Sequence, residues 1–272
     1  MTPPTAQLIR LVRRSPGYDP EMSVSDQIVH DDAPELPPPD ADEAQPDVRH
    51  VLLRFIPLYI ALAGSLTVLG VLLRLVVFDS GIGAAEADVI GWIADNRVSF
   101  LDSAATVGST FSDTWTVIGV MVGSVTMLLV TGHPRHAGVV LLGIAFEFAS
   151  FLVVGAVIDR PRPDVETLHS VPSTPSFPSG HVAAAFVLYG SLVFVARSLS
   201  KRVPGVVWIV PFLLAFSVAA SRMYEGVHYP TDVTAGFLLG VGALWCATMA
   251  TGLVSLDSIP GLSGRRSAEA DR

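Results

Sequence analysis

The chain has 272 residues, half of them hydrophobic and only 15% charged, with a mean hydropathy of +0.53. A soluble domain usually carries about a quarter charged residues, so this balance excludes an ordinary soluble globule and indicates a membrane protein. The formal net charge of -8 argues against a nucleic-acid partner and mostly describes a tail: ten Asp or Glu and no Lys or Arg lie between Ser15 and Asp47.

Residues 1–50 are expected to form a disordered cytoplasmic tail. Asp31 to Asp47 is acidic and Pro-rich, with too little apolar surface to offset the entropy of ordering. A solvated linker is favoured there over a PxxP docking site at Pro34 to Pro37. The basic piece Leu8 to Arg14 is a weak signal for anionic lipid. These residues hold no apolar core of the kind a signal peptide needs, so the first hydrophobic run is expected to stay as an anchor. Cys246 is the one cysteine and cannot form an intrachain disulfide.

A domain of six spans is predicted over residues 51–254, because a bilayer takes about 20 apolar residues per helix. The runs are Val51 to Phe78, Trp115 to Thr131, Ala137 to Ile158, Val182 to Ala196, Val203 to Ala220 and Val233 to Val254. The fourth reaches spanning length if its helix starts near Ser179. Unpaired backbone is not tolerated in lipid, so all six should be helices and the fold class all-α. Gly236 and Gly240 would permit close packing of the last one. Between the first two spans, Ala84 to Asp95 puts Val89, Trp92 and Ile93 on one face and Glu86, Asp88 and Asp95 elsewhere. That suits either a helix lying in the membrane interface or a packed cap.

Basic residues orient the chain. Arg49 and Arg54, Arg135, the group Arg197, Lys201 and Arg202, and finally Arg265 and Arg266 all fall on one side, which is expected to be cytoplasmic with both termini. Residues 255–272 are then a short cytoplasmic tail.

The opposite loops carry the unusual residues. Asp159-Arg160-Pro161-Arg162-Pro163 ends the third span, Pro178-Ser179-Gly180-His181 opens the fourth, and Ser221 to Asp232 joins the fifth to the sixth. Topology thus gathers three arginines and two histidines at one membrane surface. Phosphoryl transfer needs such a set, since negative charge spreads over three equatorial oxygens. Arg162 and Arg222 can each grip two oxygens. Ser179 and the Gly180 amide sit where a helix begins and favour an anion. Asp232, four residues after His228, can reach one ring nitrogen and leave the other to attack phosphorus, with His181 protonating the leaving oxygen. No metal-ligand cluster is visible. Glu147, mid-way along the third span on the face of Gly155, reads as a hydrogen-bonded structural residue in preference to a substrate-gating one.

Together these segments resemble the type 2 phosphatidic acid phosphatase superfamily, which includes vanadium haloperoxidases. Its pattern is Lys-x6-Arg-Pro, PSGH and Ser-Arg-x5-His-x3-Asp. The resemblance covers roughly Val51 to Val254, and the second and third motifs match fully. It implies that Arg162, Ser179, Gly180 and Arg222 bind phosphate, that His181 is the acid, that His228 forms a phosphohistidine and that Asp232 orients it. It implies no metal or cofactor. The motif-one lysine is replaced here by Gly155, and Lys201, the only lysine, lies on the opposite face. Arg160 is expected to restore the missing cation as a phosphate ligand, with Arg74 as the second candidate. The expected substrate is an amphiphile such as an isoprenoid pyrophosphate, phosphatidate or phosphatidylglycerol phosphate, with an undecaprenyl-type pyrophosphate first. The rivals are a lipid phosphotransferase and a non-catalytic lipid-phosphate binder or transport component.

Overall fold

Every regular element in the computed structural model is a helix, and the residues it describes are 48–171 and 173–254. All of them belong to one compact unit, Gln45–Arg272. Apart from 48–50, which already belong to the first helix, the expected tails at 1–50 and 255–272, with their basic and Pro-rich pieces, lie outside the described residues.

The chain runs through α1 (Val48–Leu73, continued by a π turn over Arg74–Phe78), α2 (Gly81–Asp95), α3 (Ser99–Thr110), α4 (Thr114–Val130) and α5 (Pro134–Ile158). It then passes through α6 (Gly180–Leu199), a 3-10 turn at Gly205–Trp208, α7 (Ile209–Tyr224) and α8 (Pro230–Ala250). Among the described residues, six stretches are long and apolar enough to cross a membrane: α1 with its π turn, α3 plus α4, α5, α6, the turn plus α7, and α8.

The core lies between α5, α6 and α8, where Val139, Phe146, Val187, Ala243 and Ala247 are fully covered. The glycines Gly236 and Gly240 do let α8 approach α6. A Cβ at either would collide with the Ser179 or Ala183 carbonyl, so the N-terminal turn of α6 rests on the backbone of α8. That contact sets the level of residues 179–181 against Asp232.

One expectation needs correction. The second span is longer than Trp115 to Thr131, because Ser99–Thr110 is helical and continues into it after a break at residues 111–113. Its buried residues are Ala105, Gly108 and Ser109, and a Cβ at Gly108 would run into Ser221 and Ser217 of α7. Close approach of small residues holds α3 there in place of an apolar stripe. In α2, capped by the Ser80 hydroxyl on the Ile82 amide, the residues turned inward are Gly83, Glu86 and Ile90, while Val89 and Trp92 are exposed. Glu86 therefore belongs to the buried face.

Candidate active site

His228, Asp232, His181 and Arg162 come together where the α5–α6 and α7–α8 connections meet. Local structure sets Asp232 first. Pro230 starts α8, and Asp232, at the third helical position, accepts the Tyr229 amide at 2.9 Å in a reciprocal cap. Its other contacts are Ser176 Oγ on the same oxygen and Arg160 at 2.6 Å on Oδ1. The carboxylate is fully buried.

The His228 ring stands against this carboxylate, with Nδ1 3.7 Å from Asp232 Oδ2 and 3.5 Å from Ser176 Oγ. Its Nε2 points the other way, 3.5 Å from a terminal nitrogen of Arg162. Burial, assisted by the charges of Arg162 and Arg222, holds the imidazole below the ordinary histidine range, and Asp232 only partly offsets that. A neutral ring whose Nε2 lone pair faces the Arg162 guanidinium is the result.

Arg162 donates to the Thr174 carbonyl at 3.1 Å, to the Val227 carbonyl at 2.8 Å and to Thr174 Oγ1 at 3.2 Å. None of these partners carries charge, so the guanidinium is oriented without being neutralised. Arg222 differs: it pairs with Glu225 at 3.0 Å and approaches Asp113 at 3.5 Å. Its Nε is buried with no partner, as is the Ser179 hydroxyl. Ser179 precedes α6 without capping it through its side chain, which leaves the first amides of that helix open to an anion. Among the described residues, these two orphaned donors and the uncompensated Arg162 fit an oxyanion that supplies the missing acceptors.

Arg162, Gly180, His181 and His228 line one wall of a cavity of about 530 Å³. The cavity continues between α4 and α5 past Val117, Ile118, Ile144 and Phe148. Cationic and hydrogen-bonding groups thus lie at one end and a hydrocarbon-lined channel at the other.

The expectation for Arg160 is corrected by its surroundings. It is 6% exposed, donates to Glu86 at 3.0 Å as well as to Asp232 and Thr231, and is sandwiched between the rings of Phe78 at 3.8 Å and Tyr229 at 4.0 Å. Two carboxylates neutralise it, and it borders a separate cavity of about 460 Å³. Arg74 lines that second cavity too, where it donates to the Ile158 carbonyl at the end of α5 at 3.1 Å. Both arginines border this second cavity, and neither lines the one that holds His181 and His228. The sequence reading missed Glu86, which also accepts the Thr231 amide at 2.8 Å, and Ser176. The spacing of Gly83, Glu86 and Ile90 on one helix face was the available signal for Glu86.

Residues 136–253 match the family model of the PAP2 superfamily, in agreement with the resemblance carried by the three motifs. Over 121 residues the chain is 36% identical to an undecaprenyl-diphosphatase of Sulfolobus acidocaldarius, covering 42% of this chain and 55% of that protein. It is 41% identical over 91 residues to phosphatidylglycerophosphatase B of Bacillus subtilis, 31% of this chain and 42% of the relative. Over 66 residues it is 48% identical to the bacitracin transport permease protein BcrC of Bacillus licheniformis, 24% of this chain and 29% of that one. The chain therefore spans between about a third and a half of the length of these relatives. Its fold is similar to the crystal structure of a transmembrane PAP2 type phosphatidylglycerolphosphate phosphatase from Bacillus subtilis, with a TM-score of 0.60 at 23% identity over 71% of this chain and 98% of that one. The six apolar stretches and this likeness make the chain an all-α, multi-pass membrane protein.

Proposed function

We propose that this chain, whose residues 136–253 belong to the PAP2 superfamily, is an integral-membrane phosphatase of lipid phosphates or pyrophosphates that works through a phosphohistidine without a metal. The observation that carries the reading is the cavity itself: the Nε2 of His228 facing a non-neutralised Arg162, with His181 on the same wall, opening into an apolar channel between α4 and α5. An amphiphile fits that polarity, with its phosphate at the histidines and its chain along the helices.

In this mechanism His228 Nε2 attacks phosphorus as the bond to the leaving oxygen breaks, and His181 gives that oxygen its proton. Arg162, Arg222, the Ser179 hydroxyl and the first amides of α6 hold the three equatorial oxygens, where charge grows most. Asp232 keeps Nδ1 of His228 protonated and stabilises the ring once it carries the phosphoryl group. His181, now neutral, takes a proton from water, which attacks phosphorus and releases inorganic phosphate and free His228. Purified protein in detergent should release phosphate from lipid phosphates in the presence of EDTA and be inhibited by vanadate. Loss of turnover with EDTA and its return with magnesium would overturn the histidine mechanism.

The proposed orientation puts this site outside the cytoplasm. Arg54, near the start of α1, donates to the Met249 carbonyl at the end of α8, and Arg197 donates to the Val203 carbonyl at the α6–α7 turn. Both lie at the helix ends remote from His228, which is the basic and hence cytoplasmic side. Ser170 is exposed in the α5–α6 connection, and the native Cys246 is buried. Ser170→Cys should react with a membrane-impermeant maleimide in intact cells. Labelling only after lysis would reverse the topology.

A further inference from the structure

Glu147 stands mid-way along α5, inside a membrane span, and is only 4% exposed. The sequence reading expects a hydrogen-bonded structural group. Among the described residues, however, no donor and no cation pairs with its carboxyl, although the side chain borders the same cavity as His181 and His228. An ionisable side chain within a span is costly and ordinarily finds a partner in the bundle. Here the open side of the group is the cavity.

Its depth is set by its neighbours. Phe151, one turn further along α5, packs against Gly180, where a Cβ would lie 3.2 Å from the ring. The Glu147 carboxyl therefore sits roughly 5 Å deeper than the start of α6. A lipid with its phosphorus at His228 and the α6 amides would bring to that depth the atoms about four or five bonds beyond phosphorus. In a phosphorylated glycerol lipid those atoms are an ester or hydroxyl oxygen. In a prenyl monophosphate they are hydrocarbon.

We propose that Glu147 is a specificity-determining residue, hydrogen-bonding an oxygen of the leaving alcohol, so that the site favours glycerol-based lipid phosphates over prenyl phosphates. This rests on the phosphatase reading above and selects among its substrates. A carboxyl can accept from a hydroxyl or, with its proton, donate to an ester carbonyl. Glutamine keeps both capacities and leucine has neither.

The test compares dioleoyl phosphatidate with geranylgeranyl monophosphate in detergent. Glu147→Leu should lower kcat/KM for the phosphatidate about 10-fold, as for one lost hydrogen bond, and leave the prenyl substrate unchanged or better. Glu147→Gln should stay within a few-fold of wild type on both. A structural role predicts instead that Glu147→Leu lowers both substrates equally and lowers the thermal midpoint, and that result overturns the proposal, as does no change with either lipid. Binding of the non-hydrolysable phosphonate analogues gives the same comparison without turnover. If the wild type hydrolyses neither lipid, nor geranylgeranyl pyrophosphate, the phosphatase reading fails, while a selective loss of diacylglycerol phosphonate affinity in Glu147→Leu would still support the role of Glu147. Equal affinities would overturn it.

Discussion

His228→Ala is expected to abolish phosphate release, with a fall in kcat on the order of 10⁴ or more, as when a covalent nucleophile is removed elsewhere. The Nε2 of His228 is the cavity nitrogen that faces Arg162, the other cavity imidazole, His181, is the acid of the proposed mechanism, and Asp232 is held by Arg160, Ser176 and Tyr229. Wild-type protein quenched in alkali should yield a base-stable, acid-labile phosphoenzyme, and the variant none. The same ring sets the pH dependence. Attack needs the unprotonated imidazole, and burial keeps its pKa below the ordinary 6.5. The acid limb of kcat/KM should therefore lie below pH 6.5, with activity falling as pH drops through it. Asp232 works against that depression, so Asp232→Asn should move the limb to still lower pH while reducing kcat. A His228→Ala enzyme that keeps its turnover and phosphoenzyme would remove His228 from the chemistry.

Continuous apolar runs made six spans legible in the sequence, the second over its α4 half alone, because lipid leaves a backbone no alternative to the helix. The region 99–110 offered no such run. Its helix packs through Ala105, Gly108 and Ser109, residues that read as loop until a partner surface of equal smallness, Ser217 and Ser221, is known. The α2 helix shows a different blind spot. In water the face with Val89 and Trp92 would be the buried one. Beside a membrane that face is free to stay outside, and the acidic Glu86 turns in because its partner is Arg160. At the site, motif spacing identified which side chains face one another, since His228 lies just before α8, Asp232 in the first turn of α8 and His181 at the start of α6. It did not say which cation belongs to which anion. Arg160 and Arg162 are two residues apart, yet the first faces two carboxylates and the second an open cavity.

That difference leads to the second large effect. Arg160→Ala should destabilise the protein by about 3–5 kcal/mol, the usual result of leaving buried charges without their partner. Glu86 and Asp232 would face each other across the vacated space, with 9% and 0% of their side chains exposed. Turnover should fall with the stability, because Asp232 would lose the contact that holds it behind His228. The loss should appear in kcat with KM little changed, whereas removal of a group that also holds the phosphate in the ground state would raise KM as well. A charge cycle separates the two roles. Glu86→Gln in the Arg160→Ala background removes one of the stranded carboxylates and should recover part of both the thermal midpoint and kcat, a non-additivity expected of side chains in one network. Gly155→Lys should not rescue Arg160→Ala. The backbone accepts a Cβ there, which would meet only the Phe177 carbonyl at 3.5 Å, but a new cation serving phosphate does nothing for Asp232. If Gly155→Lys restores activity and Glu86→Gln does not, Arg160 serves phosphate during turnover and the network seen here is a resting arrangement. Recovery by Glu86→Gln alone makes Arg160 a positioning residue and leaves the phosphate to Arg162, Arg222 and the start of α6.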